Sequence, residues 1–202
     1  MNRAVFLDRD GVINQKAPGE GYVTTWEQIH FLPDSAKAIS LLNRAGFLVI
    51  VVTNQRCVAK GLITIRDLET LHRRMCEKLA MESATVDAIF YCPHQIEPPC
   101  ACRKPAPGMF FEAAKAHQIA LNNSWMVGDS EIDVKAGRNA GCKTARLSDS
   151  TQDASADIVA ASLSEVVQQI LRRERIAEIS SYDPKVNANA DRDYGGRSGR
   201  SR

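Results

Sequence analysis

FLVIVVT, Phe47–Thr53, puts six apolar side chains in a row and ends on a hydroxyl. A strand with one face in water alternates polar with apolar residues, and this one does not, so it is read as buried on both faces, the place of a central strand in a parallel sheet. Shorter apolar runs on either side of it read as further strands: AVFL (Ala4–Leu7), AIFY (Ala88–Tyr91), WMV (Trp125–Val127) and TARL (Thr144–Leu147). Amphipathic stretches separate them. Ser35–Ala45 reads as a helix with Asp34 as its N-cap and Gly46 at its end. Thr64–Met81 is a longer one, with Ile65, Leu68, Leu71, Met75 and Leu79 on one face. Others are expected over Gly108–Ala116, Asp133–Asn139 and Leu163–Arg173. Strand and helix in alternation predict an α/β fold of βαβ units around a parallel sheet.

The chain has 202 residues, enough for one such domain with a buried sheet. With 44% hydrophobic and 25% charged residues and a net charge of +2, it offers no electrostatic case for nucleic acid or a membrane surface. No apolar run approaches the length of a membrane span, and the charges at Arg3, Asp8, Arg9 and Asp10 break any signal-peptide layout. It is read as a cytoplasmic monomer. Six cysteines in such a compartment are thiols or metal ligands rather than disulfides. The expected domain covers residues 1–180. Residues 181–202, rich in Gly, Asn and Ser, cannot bury enough apolar surface to order themselves and are expected to form a disordered tail, the sharper alternative being a basic arm carried by Arg192, Arg197, Arg200 and Arg202.

In open α/β sheets ligands bind at the carboxyl ends of the strands, and the unusual polar residues gather there. The first strand runs into DRDG, where Asp8 and Asp10 project the same way from extended chain and Arg9 does not. One carboxylate can attack phosphorus, its neighbour can trade protons with the leaving group and water, and Mg²⁺ can bridge carboxylate and phosphate. Alone, DxDG is equally well a loop with an Asx turn. The central strand ends in Thr53-Asn54, whose polar groups suit phosphate oxygens. VGDSEID adds Asp129 as a metal ligand, with Asp133 one helical turn on to support it, and Lys104 offers a point charge for phosphate.

Between them lies YCPHQIEPPCACRKP, Tyr91–Pro105, with Cys92, His94, Cys100 and Cys102. Four such ligands in a proline-rich loop fit one tetrahedral Zn²⁺, and a site closed by four protein ligands is structural rather than catalytic. Cys57, Cys76 and Cys142 read as small buried thiols, with an exposed Cys57 as the alternative. His30, His72 and His117 have no partner pattern and receive no role.

FLDRDGVIN, VVTN, the lysine of CRKP and VGDSEID, in that order, resemble the four motifs of the haloacid dehalogenase phosphatase superfamily. DRDGVIN, TNQ, CPH and CxCRKPxPGM are similar to its heptose bisphosphate phosphatase group, neighbour to the histidinol phosphatases. The resemblance implies a Rossmann-like three-layer sandwich with little or no cap domain and a structural zinc loop. It implies Asp8 as nucleophile, Asp10 as general acid/base, and Mg²⁺ held by Asp8, the main-chain oxygen of Asp10 and Asp129. Thr53, Asn54, Gln55 and Lys104 would hold the phosphate and Arg103 the sugar or a second phosphate. Two departures bear on specificity: TNQRCVAKG carries Arg56 and Cys57 where small residues are common, and Ser130 stands where relatives carry a basic residue. The implied activity is Mg²⁺-dependent removal of the 7-phosphate from D-glycero-D-manno-heptose 1,7-bisphosphate. The alternatives are histidinol phosphate or another small phosphomonoester on the same chemistry, and a non-enzymatic zinc module for nucleic acid, which leaves DxDG unexplained.

Overall fold

A computed structural model describes residues 1–19, 21–150 and 156–181. Six strands form one parallel sheet: β1 (Ala4–Leu7), β2 (Leu48–Asn54), β3 (Ala88–Cys92), β4 (Trp125–Gly128), β5 (Lys143–Leu147) and β6 (Ile158–Ala160), in the order β3-β2-β1-β4-β5-β6. Five helices connect or follow them: α1 (Ser35–Arg44), α2 (Ile65–Ala80), α3 (Gly108–His117), α4 (Glu131–Ala140) and α5 (Leu163–Ser181). The chain steps from β1 to β2 to β3 in one direction, then crosses back to β4. Right-handed crossovers therefore set α1 and α2 on one face and α3 and α4 on the other, which is the Rossmann-like arrangement.

The second face shows why. Phe6, Ile50, Val52 and Met126 pack with Met109, Phe110 and Ala113 of α3 and with Ala136 and Ala140 of α4. The rings of Phe6 and Phe110 lie 4.8 Å apart. In β2, Val49, Ile50, Val51 and Val52 are all 0% exposed, so the strand is covered on both sides as its unbroken apolar run requires. Register pairs Leu7 with both Val51 and Val127, which brings the segments after β1, β2 and β4 to one edge. The switch in strand order falls between β1 and β4, where the crevice opens.

Boundaries shift for local reasons. Thr64 caps α2, accepting the Asp67 N–H, rather than belonging to it. Helix α4 begins two residues earlier than expected because Ser130 and Asp133 close a capping box. Asp34 stands at the N-cap of α1 but with left-handed backbone (φ 59°) and no capping bond from its side chain. The edge strand β6 has three residues and left no apolar run long enough to notice. Helix α5 continues past Arg173 to Ser181.

The chain divides into two compact units, Met1–Gln169, which holds the sheet, and Ile170–Arg202. The expected tail, from residue 182 onward, lies outside the described residues. Among those described, no helix is long and apolar enough to cross a membrane.

Candidate active site

Four carboxylates and Lys104 meet at the carboxyl edge. Asp8 follows β1, Asp129 follows β4, and Asp133 sits in the first turn of α4; oxygens of these three lie within 4.8 Å of one another. Lys104 reaches them from the β3–α3 connection. Its Nζ lies 2.9 Å from Asp8 Oδ1 and 2.6 Å from Asp133 Oδ1, and donates to the Val52 carbonyl at 2.8 Å, with only 3% of the residue exposed. Two flanking anions raise the Lys104 pKa against the opposing effect of burial. For Asp8 burial dominates: it raises the pKa to about 7 even though Lys104 pulls the other way. Asp133 ends lowered, since Lys104 and hydrogen bonds from Ser130 outweigh its burial.

Two glycines are required by this crowding. A Cβ on Gly11, whose φ is +95°, would fall on the Asp129 carboxylate, and one on Gly128 would fall on the Asp133 side chain. Asp133, expected to support a metal ligand, pairs with Lys104 and closes the capping box of α4, with an oxygen within 4.8 Å of those of Asp8 and Asp129.

Asp10 faces the same edge but its oxygens are taken. Oδ1 accepts from Arg9 Nε (3.1 Å) and Asn14 Nδ2 (2.9 Å), and Oδ2 from Arg9 Nη2 (2.9 Å) and Gln55 Nε2 (3.2 Å). Gln55 also donates to Thr53 Oγ1 at 2.9 Å, so TNQ is wired to DRDG. Asn54 spans to the lysine loop: its amide donates to the Lys104 carbonyl at 3.1 Å and accepts the Lys104 N–H at 3.0 Å. The side chain of Asn54, a residue expected among those that serve phosphate, docks Lys104, and Asn54 also lines the cavity described next. Cys57 is buried, 0% exposed, and donates to Gln55 Oε1, which removes the reading that set it at the mouth.

Asp8, Asp10, Lys104 and Asp133 line a cavity of about 230 Å³ with Lys16, Tyr22, Thr53, Asn54 and Ile132. Arg103 lines an adjoining cavity with Ile96, Pro99 and Pro105, and the two cavities share Asn54, Lys104 and Ile132. Sequence reading passed over Arg9 and His72, which contact each other at 3.1 Å beneath Asp10, and Lys16, which pairs with Asp129 Oδ2 at 2.5 Å. Nothing in residue spacing distinguishes these three from surface residues.

The residues fit a hard divalent cation. Asp129 Oδ1 is buried with no hydrogen-bond partner, next to Asp8, and an unpartnered buried carboxylate oxygen is costly unless a cation completes it. The thiol cluster fits zinc on separate grounds. Sγ atoms of Cys92 and Cys100 lie 3.6 Å apart and those of Cys100 and Cys102 3.5 Å apart; His94 Nδ1 is 3.6 Å from Cys92 and 3.2 Å from Cys102. Tetrahedral bonds of about 2.3 Å to sulfur and about 2.0 Å to nitrogen imply edges of about 3.8 and 3.5 Å, close to those observed.

The HAD-hydrolase-like family profile matches residues 101–170. The chain is 41% identical over 145 residues to the D-glycero-β-D-manno-heptose-1,7-bisphosphate 7-phosphatase of Rhodopseudomonas palustris, covering 68% of this chain and 79% of that one. It is 40% identical over 143 residues to the enzyme of the same name from Helicobacter pylori strain 26695, covering 70% and 81%. Among solved structures, the D,D-heptose 1,7-bisphosphate phosphatase of Bordetella bronchiseptica, complexed with magnesium and phosphate, superposes with a TM-score of 0.76 at 34% identity over 85% of this chain and 99% of that one. With the fold, the motif order and relatives near 40% identity in agreement, the chain belongs to the haloacid dehalogenase-like hydrolases, in the family that holds the heptose-1,7-bisphosphate 7-phosphatases.

Proposed function

We propose that this protein removes the 7-phosphate of D-glycero-β-D-manno-heptose 1,7-bisphosphate, leaving the 1-phosphate, by way of an aspartyl phosphate on Asp8. The observation that carries the reading is Asp8 itself: a carboxylate whose side chain is 14% exposed, in contact with a buried lysine at the switch point of a parallel sheet, in a chain about 40% identical to enzymes named for that reaction.

Both side-chain contacts of Asp8, from Lys104 Nζ and from the Arg9 N–H at 2.8 Å, fall on Oδ1, so Oδ2 is the atom that attacks phosphorus. As that bond forms, the bond from phosphorus to the sugar oxygen breaks, and Asp10 gives the departing oxygen a proton. Asp10 then takes a proton from water as the water oxygen attacks the phosphorus. The bond to Asp8 breaks, releasing inorganic phosphate and returning both aspartates to their starting forms. Thr53 and Lys104 hold the transferring phosphate oxygens, with Gln55 and Asn54 fixing the loops that carry them. Mg²⁺, held by Asp8, the Asp10 main-chain oxygen and Asp129, supplies neutralisation of the charge shared between carboxylates and phosphate.

Arg103, at the adjoining cavity, meets the sugar or its 1-phosphate. Zn²⁺ on Cys92, His94, Cys100 and Cys102 holds the loop that presents Arg103 and Lys104. The β anomer follows the names of the relatives above. The protein is proposed to act as a monomer in the cytoplasm on a soluble sugar phosphate. The test is phosphate release from both anomers of heptose 1,7-bisphosphate, set against histidinol phosphate and fructose 1,6-bisphosphate. The β anomer is expected to give the highest kcat/KM. A higher value for histidinol phosphate would sink the heptose assignment.

A further inference from the structure

Among the described residues Arg9 is, after Trp125, the largest side chain removed from solvent, and a guanidinium in that position must find acceptors for its N–H groups. Two of them, Nε and Nη2, run side by side to the two oxygens of Asp10 at 3.1 and 2.9 Å. Such a paired contact fixes the plane of a carboxylate, which single bonds from the amides of Asn14 and Gln55 do not. The rest of Arg9 is seated from two sides. Nη2 also donates to the Val23 carbonyl at 3.2 Å, and Nη1 lies 3.1 Å from His72 Nε2.

His72 projects from α2, is 4% exposed, and stands edge-on to the Tyr91 ring with centroids 5.7 Å apart. Burial, and then the charge of Arg9, push its pKa down to about 3, so the ring is neutral and Nε2 is free to accept from the guanidinium. His72 is thus an acceptor in the wall behind Arg9. It does not approach the substrate cavity.

We propose that Arg9, seated on His72 and the Val23 carbonyl, is the positioning residue that sets the Asp10 carboxylate for its two proton transfers. This rests on the reading of Asp10 as the general acid and base. Neither Arg9 nor His72 touches the substrate; they act through Asp10. The consequence is a dependence on the leaving group. A sugar alkoxide needs a proton as it departs, whereas 4-nitrophenolate departs almost unaided, so misplacing Asp10 slows the first ester and spares attack on the second.

The experiment uses the full chain loaded with Mg²⁺ and compares His72→Leu, which removes the acceptor, with His72→Gln, which keeps one, and with Arg9→Lys, which keeps charge but loses the paired contact. Steady-state turnover is measured on the heptose bisphosphate, and the burst of 4-nitrophenolate from 4-nitrophenyl phosphate is followed by rapid mixing. A displacement of about 1 Å costs roughly a hundredfold in rate. His72→Leu and Arg9→Lys are therefore expected to lose up to that factor in kcat on the sugar phosphate, with KM and the burst rate little changed, and His72→Gln to recover most of it. The proposal is overturned if folded His72→Leu keeps wild-type kcat on the sugar phosphate, or loses both esters in equal proportion. Should Arg9→Lys fail to fold, the two His72 variants still give the contrast. A wild type that releases phosphate from neither ester would instead overturn the phosphatase reading.

Discussion

Lys104→Met removes the one cation placed between Asp8 and Asp133, and its cost can be worked from their burial. The ammonium is 2.9 Å from one carboxylate and 2.6 Å from the other, at 3% exposure, with the Val52 carbonyl as third partner. Methionine matches the stem but leaves two buried acids facing each other, and breaking a buried pair in this way costs about 3–5 kcal/mol. The loss depends on pH. Asp8 already has its folded-state pKa raised to about 7, from an ordinary 3.8, by burial and despite Lys104. Stability from a group raised in this way is present at low pH and is lost as pH rises through the folded value; without Lys104 that value climbs further. The deficit of the variant is therefore expected to shrink toward about pH 6, where Asp8 can take a proton, and to grow toward about pH 8. Urea unfolding without added magnesium, and without a chelator that would strip zinc as well, measures it. A deficit below about 1 kcal/mol, or one flat across that pH range, would refute the account of Lys104 as the charge that lets both acids be buried.

Asp8→Asn is expected to abolish turnover while the melting temperature holds or rises, since a buried carboxylate is replaced by a neutral group of the same shape; near-normal activity in a homogeneous sample would contradict an aspartyl phosphate. Cys102→Ser is expected to lower zinc content and cut activity sharply with the sheet intact, because Cys102 is covalently joined to Arg103 and one residue from Lys104. Elemental analysis beside turnover and circular dichroism checks this, and full activity in a zinc-free, reduced protein would contradict it. For His72, the folded pKa of about 3 lies below the ordinary 6.5, so below 6.5 the unfolded chain takes up a proton that the fold refuses. Wild type should thus lose about 2 kcal/mol between neutral pH and about pH 5 that His72→Gln does not lose, read by unfolding at both values.

Most of the strand ends were legible because two independent signals coincide there. An apolar run needs no partner to be recognised, and a polar residue directly after it is conspicuous: Leu7 then Asp8, Val52 then Thr53, Gly128 then Asp129. The thiol cluster was legible for a similar reason, since four metal-binding side chains within eleven residues stand out from composition. The edge strand β6 offered neither length nor a terminal acid. For Asn54, sequence shows an amide at a strand end but not that the Lys104 main chain passes 3.0 Å away.

Arg9 shows a different limit. Alternation along β1 correctly turned it away from the side that Asp8 and Asp10 share, and the usual inference is that a charge so turned meets water. Here the other side is the interior between the 15–23 segment and α2, and the guanidinium folds back to grip the carboxylate next to it. A period of two tells which residues share a face; it does not tell which face the rest of the chain will cover. Arg56 carries the same lesson at the rim. It stood out only as a large residue where relatives have small ones, yet its Nε donates to Gln95 Oε1 at 2.9 Å, and Gln95 donates to the Ala59 carbonyl at 3.1 Å. From the same turn, Lys60 lies 4.9 Å over the Tyr22 ring. The β2–α2 turn is thereby tied to the thiol loop by two contacts of Gln95 and to Tyr22 by a third. Of these residues Tyr22 lines the cavity while Arg56, Gln95 and Lys60 do not, so a substitution at Arg56 reaches the site only through the loops that it holds in place.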